Sequence, residues 1–177
     1  MELEEEPKDV IVLNAIARGK DNEKKIVKFT GLSPFDVASV VERLLLRGLI
    51  VREEKKGLFG KKQKLKLTEK GMRELQERRY ELEQKWQKMV MLANQGKKEE
   101  LQRYTESNRS WILPMMMFGI IDMMLWMSML SMMGLAMSNF VPEGMEGDFG
   151  DSMGDVGEGS DDFGDVGDFG DLGDISF

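Results

Sequence analysis

The stretch MMMFGIIDMMLWMSMLSMMGLAM, residues 115–137, holds ten methionines and a single charge, Asp122. The uncharged character extends from Trp111 to Ser138 with that one interruption. So much apolar side chain has to be kept from water, and any fold of this chain has to provide the cover. Three covers are open. One is a bilayer, since a run of 18 or more apolar residues is long enough to span one; Trp111 then anchors at the interface and the lysine-rich residues before it lie inside. Another is a partner helix, because methionine adapts to varied apolar surfaces. The last is the chain's own core, where Ser128, Ser131, Gly134 and Ser138 allow close helix approach. Against a span stand Asp122 near the middle, the scarcity of Leu, Ile and Val, and the breaks at Pro114, Gly119 and Gly134. The residues expected to meet a membrane or an apolar helix are Met115, Met116, Met117, Met123, Met124, Trp126, Met127, Met132 and Met133.

The flanks differ in charge. Residues 1–110 carry all 25 Lys and Arg against 19 Asp and Glu, a net of +6. Residues 111–177 carry 13 Asp and Glu and no Lys or Arg, a net of −13. That asymmetry suits a polyanion-binding front with an acidic tail able to compete for the same surface, or simply a mixed surface with a solubilising tail. The chain has no cysteine and no histidine. Disulfides, thiol nucleophiles, Ser-His triads and Cys/His zinc sites are therefore excluded. No cofactor is expected, and no set of nucleophile, base and oxyanion donors suggests an enzyme. The opening MELEEEPKDV has no apolar core, so no signal peptide is expected and the location expected is cytoplasmic.

The front half reads as helices, then a hairpin, then a long helix. KDVIVLNAIAR (8–18) has helical apolar spacing and stops at Gly19, and NEKKIVKFTG (22–31) is a second short helix. The third, 34–47, opens with Ser33 as cap, Pro34 at the first position and Asp36 three residues after the cap. LIVREEKK (49–56) and KKQKLKLT (61–68) are strand-like runs joined across GLFG (57–60), a hairpin with a glycine-bearing turn. From Thr68 onward Met72, Leu75, Arg79, Leu82, Trp86, Met89 and Ala93 step by three and four, a heptad seam that ends at Gly96. Residues 97–109 continue as a polar helix or linker.

SPFDVASVVERLLLRGLIVREEKKGLFGKKQKLKLTEKGMREL resembles the core of winged helix-turn-helix regulators of the MarR and PadR type. The likeness lies in Leu44, Gly48, Leu49 and Ile50, then Leu67, Thr68 and Gly71, within about residues 8–75. It implies a mainly α fold with a small β-wing, DNA as partner, and transcriptional regulation. It implies that helix 34–47 enters the major groove with Ser39, Arg43 and Arg47 outward, and that Lys55, Lys56, Lys61, Lys62 and Lys64 of the wing meet phosphates. Asp36 and Glu42 on the same helix repel phosphate, so high sequence specificity is not expected. It further implies a homodimer through Met72, Leu75, Leu82, Trp86 and Met89. Leu58 and Phe59 at the turn are apolar and expected to be exposed, free to wedge into a groove, touch a membrane or pack on a neighbour.

The expected organisation is a winged-helix domain (1–68), a long helix and linker (69–110), a Met-rich hydrophobic helical segment (111–142) and an acidic Gly-rich tail (143–177). In the tail, Asp recurs every third residue from 162 to 174, each followed by an apolar residue and, up to Gly173, by glycine. No kinase loops or EF-hand spacing accompany it. Its composition predicts disorder in isolation. The tail is expected to cover the basic wing, to dock on a partner, or to serve as a solvated appendage; its ending, Asp174-Ile175-Ser176-Phe177, resembles the acidic tip of bacterial single-strand-DNA-binding proteins. The function these features suggest is a dimeric regulator tethered through its hydrophobic segment. The other reading is a targeting factor whose methionines hold apolar helices, as the composition resembles that of the methionine-rich cargo domain of signal-recognition-particle GTPases.

Overall fold

Helix α1, Glu5–Ala17, is buried along most of its length, and four other helices and the hairpin's second strand pack against it. The structure, a computed structural model, describes residues 5–141. The described residues fall within one compact unit, Met1–Glu146. The tail repeat and the expected tail domain, 143–177, lie outside the described residues. Among the described residues there are seven α-helices and one two-stranded antiparallel sheet, so the chain is mainly helical with a small β-hairpin.

Val10, Ile11, Val12, Leu13, Ala15 and Ile16 are all buried, and α1 packs against α2, α3, α4 and α6. Helix α2 is Glu23–Thr30, capped by Asn22, which accepts from the Lys25 amide at 2.9 Å. Helix α3 is Pro34–Leu46 and starts as the sequence pattern predicts: the Ser33 hydroxyl accepts from the Asp36 amide at 3.0 Å and donates to the Asp36 carboxylate at 2.9 Å. Val37, Val40, Val41 and Leu44 face the core.

Strands β1 (Ile50–Gly57) and β2 (Gly60–Leu67) pair from Ile50 with Leu67 to Gly57 with Gly60. Only Ile50 and Leu65 of the hairpin are buried, so it is rooted at its base and projects beyond the core. The root is held by backbone bonds. The Leu65 amide donates to the Asp21 carbonyl at 2.8 Å, and the Thr68 amide to the Leu49 carbonyl at 3.0 Å.

Helix α4, Glu69–Asn94, opens on Thr68, whose hydroxyl accepts from the Gly71 amide and donates to the Gly48 carbonyl. Gly71 sits so close to the hairpin root that a Cβ there would lie 2.0 Å from the Leu49 carbonyl oxygen. The heptad seam of α4 is real but is largely filled within the chain. Leu82, Trp86 and Met89 are buried, while Met72 is half-exposed and Leu75 half-buried. Of the five residues expected at a dimer interface, only those last two remain available to a second copy.

The cover is the methionine run. After α5 (Lys98–Ser107) come α6 (Arg109–Met117) and α7 (Met123–Met133), then a single 3-10 turn, Met137–Asn139. Gly119, at φ 69°, turns the chain after α6. Asp122 caps α7, its carboxylate accepting from the Leu125 amide at 2.9 Å. The charge in the middle of the run is thus an exposed helix cap, where a carboxylate is favoured. Of the three possible covers, the bilayer span has no helix to make it: among the described residues none is long and apolar enough to cross a membrane. Met115, Met116, Met117, Trp126 and Met133 are buried, Met123 and Met132 are half-buried, and Met124 and Met127 face outward. Trp126 is the keystone, its ring edge-on to Trp86 at 6.3 Å and to Phe140 at 5.3 Å. Such aromatic pairs add about 0.5–1.5 kcal/mol beyond the area they bury. On the other side Asn14 of α1 donates to the Met117 carbonyl at 3.3 Å, fastening α6 to the central helix.

Gly71→Ala has to displace backbone rather than a flexible side chain. We expect it to lower stability by about 3 kcal/mol in denaturant unfolding of the full chain, whereas Gly48→Ala, with no atom within 4 Å of an added Cβ, meets only the cost of its positive φ, about 1 kcal/mol. Equal effects would show that α4 does not press on the hairpin root.

Candidate nucleic-acid interface

Two surfaces were expected to meet an anionic partner, the outer face of α3 and the hairpin. Their electrostatics are opposite in kind. On α3 every charged side chain is already in an ion pair. Arg43 turns inward to α1, with its Nη2 2.6 Å and its Nε 3.2 Å from Asp9 Oδ1. Arg47, just past the helix end, holds Glu74 of α4 at 2.6 Å and lies 3.8 Å from Asp9. Asp36 takes Lys8 of α1 at 3.0 Å. Glu42 faces Arg52 of the hairpin at 3.3 Å. The Lys8 ammonium, and then the Ser33 hydroxyl, hold the Asp36 carboxyl below the usual carboxylate range.

The outward placement of Arg43 is therefore corrected: Asp9, a buried acid on α1, draws it to the α1 side. Ser39 is half-buried. What α3 presents to solvent instead is Phe35, 81% exposed, and Leu46, 87% exposed, with Glu42 between them. Spacings of seven and four place these three on one face. Phe35 and Leu46 are the surface features that reading the sequence missed. The available signal was their offset from the buried positions Val37, Val40, Val41 and Leu44.

The hairpin is different. Lys55 is directly opposite Lys62, and Lys56 directly opposite Lys61. Cross-strand partners share a face and successive residues alternate faces, so each face of the hairpin end carries one lysine pair. Like charges directly opposite one another destabilise a strand pair. Lys61 has Glu54 at 3.4 Å, an exposed contact. Among the described residues Lys55, Lys56 and Lys62 are in no ion pair. Lys64, expected with them, is instead part of the scaffold: it bonds Asp21 at 3.1 Å. Beyond the lysines the turn residues Leu58 and Phe59 are 100% and 99% exposed. A shallow groove of about 460 Å³ lies at the base, lined by Asp21, Asn22, Lys24, Arg52 and Gln63 among others.

Asp21 is the electrostatic hinge-pin of that base. Its carboxylate accepts from Lys25 at 2.8 Å as well as from Lys64, and its carbonyl holds the Leu65 amide. The Lys25 bond chiefly, with Lys64 behind it and burial opposing, draws the Asp21 carboxyl down to about 2. Among the described residues no group of three or more acidic, His or Cys side chains is placed to hold a metal ion. Comparison with protein-family models, with curated protein sequences and with solved structures finds no match to this chain.

A carboxyl whose folded pKa is depressed stabilises the fold above its unfolded value, near 3.9, and loses that contribution as pH falls through the folded value. Asp21→Asn is expected to cost about 1 kcal/mol at pH 6, allowing for solvent screening. The deficit should shrink between about pH 4 and pH 2. A deficit that stays constant over that window, in parallel denaturant titrations of the two proteins, would contradict the charge account.

Proposed function

We propose that residues 5–94 form a winged helix whose wing, the hairpin, grips the phosphate backbone of a nucleic acid with little dependence on base sequence. The order of three helices, a hairpin and a long helix is compatible with that arrangement. The observation that carries the reading is the ladder Lys55–Lys62 and Lys56–Lys61. Four cations in two like-charged rungs, of which among the described residues Lys61 alone has a carboxylate within ion-pair distance, are an electrostatic cost that a polyanion removes. Flexible ammonium groups suit phosphates, which ask for charge more than for exact direction.

Base reading finds less support on α3. Its arginines are occupied by Asp9 and Glu74, and its outer face offers Phe35 and Leu46 in place of the forked or amide donors that recognise base edges. Binding is thus of the counterion-release kind, strong at low salt and weak at high salt. In a regulator of this kind specificity would come from a partner or from nucleic-acid shape rather than from α3 side chains. The methionine helices form the core that supports the long helix, and this removes their main reason to act as a tether.

Replacing Lys55, Lys56, Lys61 and Lys62 with Ala should leave the fold intact and abolish salt-sensitive duplex binding. In fluorescence anisotropy over a salt series, the slope of log affinity against log salt should fall by about 3–4, the loss of four phosphate contacts. Duplex affinity and salt slope unchanged in that variant would refute the reading.

A further inference from the structure

Phosphate contact accounts for the four lysines and leaves the turn unexplained. Leu58 and Phe59 stand at the far end of the hairpin, between Gly57 and Gly60, and are 100% and 99% exposed. Large apolar side chains at the outermost point of a charged projection are in the place most accessible to a partner and least favourable in water. We propose that this tip is a membrane-docking device, and that its occupant is the surface of an anionic lipid bilayer.

The geometry favours that occupant. The lysine pairs are on both faces of the hairpin, so the charge forms a collar around the apolar tip rather than a stripe along one side. Lys56 and Lys61 are one rung behind the glycines, and Lys55 and Lys62 two. At about 3.4 Å per residue, the collar stands roughly 3–7 Å behind the turn. An interfacial segment buries its apolar side about 5–10 Å into the boundary between headgroups and acyl chains. With Leu58 and Phe59 at that depth, the ammonium groups reach the phosphates of the headgroup layer, where a negative surface attracts them. A B-form minor groove, the other place for an apolar wedge, is about 6 Å wide. Two strands about 4.8 Å apart, with lysines on both faces, are too broad to carry Phe59 to its floor without opening it.

The lysines serve either anion, but the tip residues serve the bilayer, so the inference does not rest on the nucleic-acid reading. The test is flotation of the full chain with vesicles of phosphatidylcholine alone and of phosphatidylcholine with phosphatidylglycerol. The protein should float with the anionic vesicles at least about tenfold better than with neutral ones. Leu58→Ser with Phe59→Ser should lower that partition at least about tenfold, while duplex affinity, measured in parallel, stays unchanged. Both positions are fully exposed, so folding is not at stake. Independently, Phe59→Trp should show a blue-shifted emission component with anionic vesicles that the unsubstituted protein lacks. Absence of flotation with anionic vesicles overturns the proposal. So does equal flotation of the serine variant, which would reduce the contact to lysine charge alone. Loss of duplex affinity in the serine variant without vesicle binding would give the tip to nucleic acid instead.

Discussion

The apolar stripe of α4 is the constraint on which the rest of the described structure depends. Leu82, Trp86, Met89 and Leu92 run along 26 residues of helix whose other faces are charged. Something has to cover that stripe, and the chain supplies the cover from its own methionine run. Folding the run back determines where it must break. The turn at Gly119 and the cap at Asp122 divide it into two helices short enough to lie against α4 and α5. Methionine suits the task, because an unbranched thioether adapts to irregular core space, and Met115, Met116, Met117, Met129 and Met133 are all buried. The same packing reaches α1 through α6, so the helices before the hairpin and the helices after it share one core.

A second consequence concerns charge. The scaffold neutralises itself where elements meet: Asp9 with Arg43, Lys8 with Asp36, Arg47 with Glu74, Asp21 with Lys25 and Lys64. Asp9–Arg43 and Lys8–Asp36 are part-buried and so are screened less by salt than pairs in open water, and Arg47–Glu74, which is exposed, joins them in bridging helices. They orient α3 against α1 and α4. At the end of the hairpin, among the described residues, Lys55, Lys56 and Lys62 are in no ion pair. The division between spent and unspent charge follows from distance to the core, not from composition.

Much of this was legible in the sequence, and the reasons for the remainder are physical. The Ser33–Pro34–Asp36 start of α3, the stop at Gly48, the hairpin about residues 57–60 and the Thr68 start of α4 are specified by local chemistry, and each is found at the expected place. Local chemistry does not say what covers a face. A heptad seam reads alike whether a second copy or a later segment of the same chain fills it, and here Trp126 fills it. Helical spacing likewise shows that Ser39, Arg43 and Arg47 are near one another on α3. It does not show that Asp9, 34 residues before Arg43, waits on the buried side. Lys64 was grouped with the other hairpin lysines for the same reason, since its partner Asp21 belongs to the turn before α2. The exposed Phe35 and Leu46 escaped notice because apolar residues in a helix are read as core by default.

We propose that the hairpin, and not α3, meets an anionic partner. The most direct measurement is an amide chemical-shift titration of the full chain with a mixed-sequence DNA duplex at low salt. The largest changes are expected at Lys55, Lys56, Lys61 and Lys62 and their neighbours in the turn, fading as salt is raised, with Ser39, Arg43 and Leu46 nearly still. Large, salt-resistant changes along α3 with a silent hairpin would contradict it.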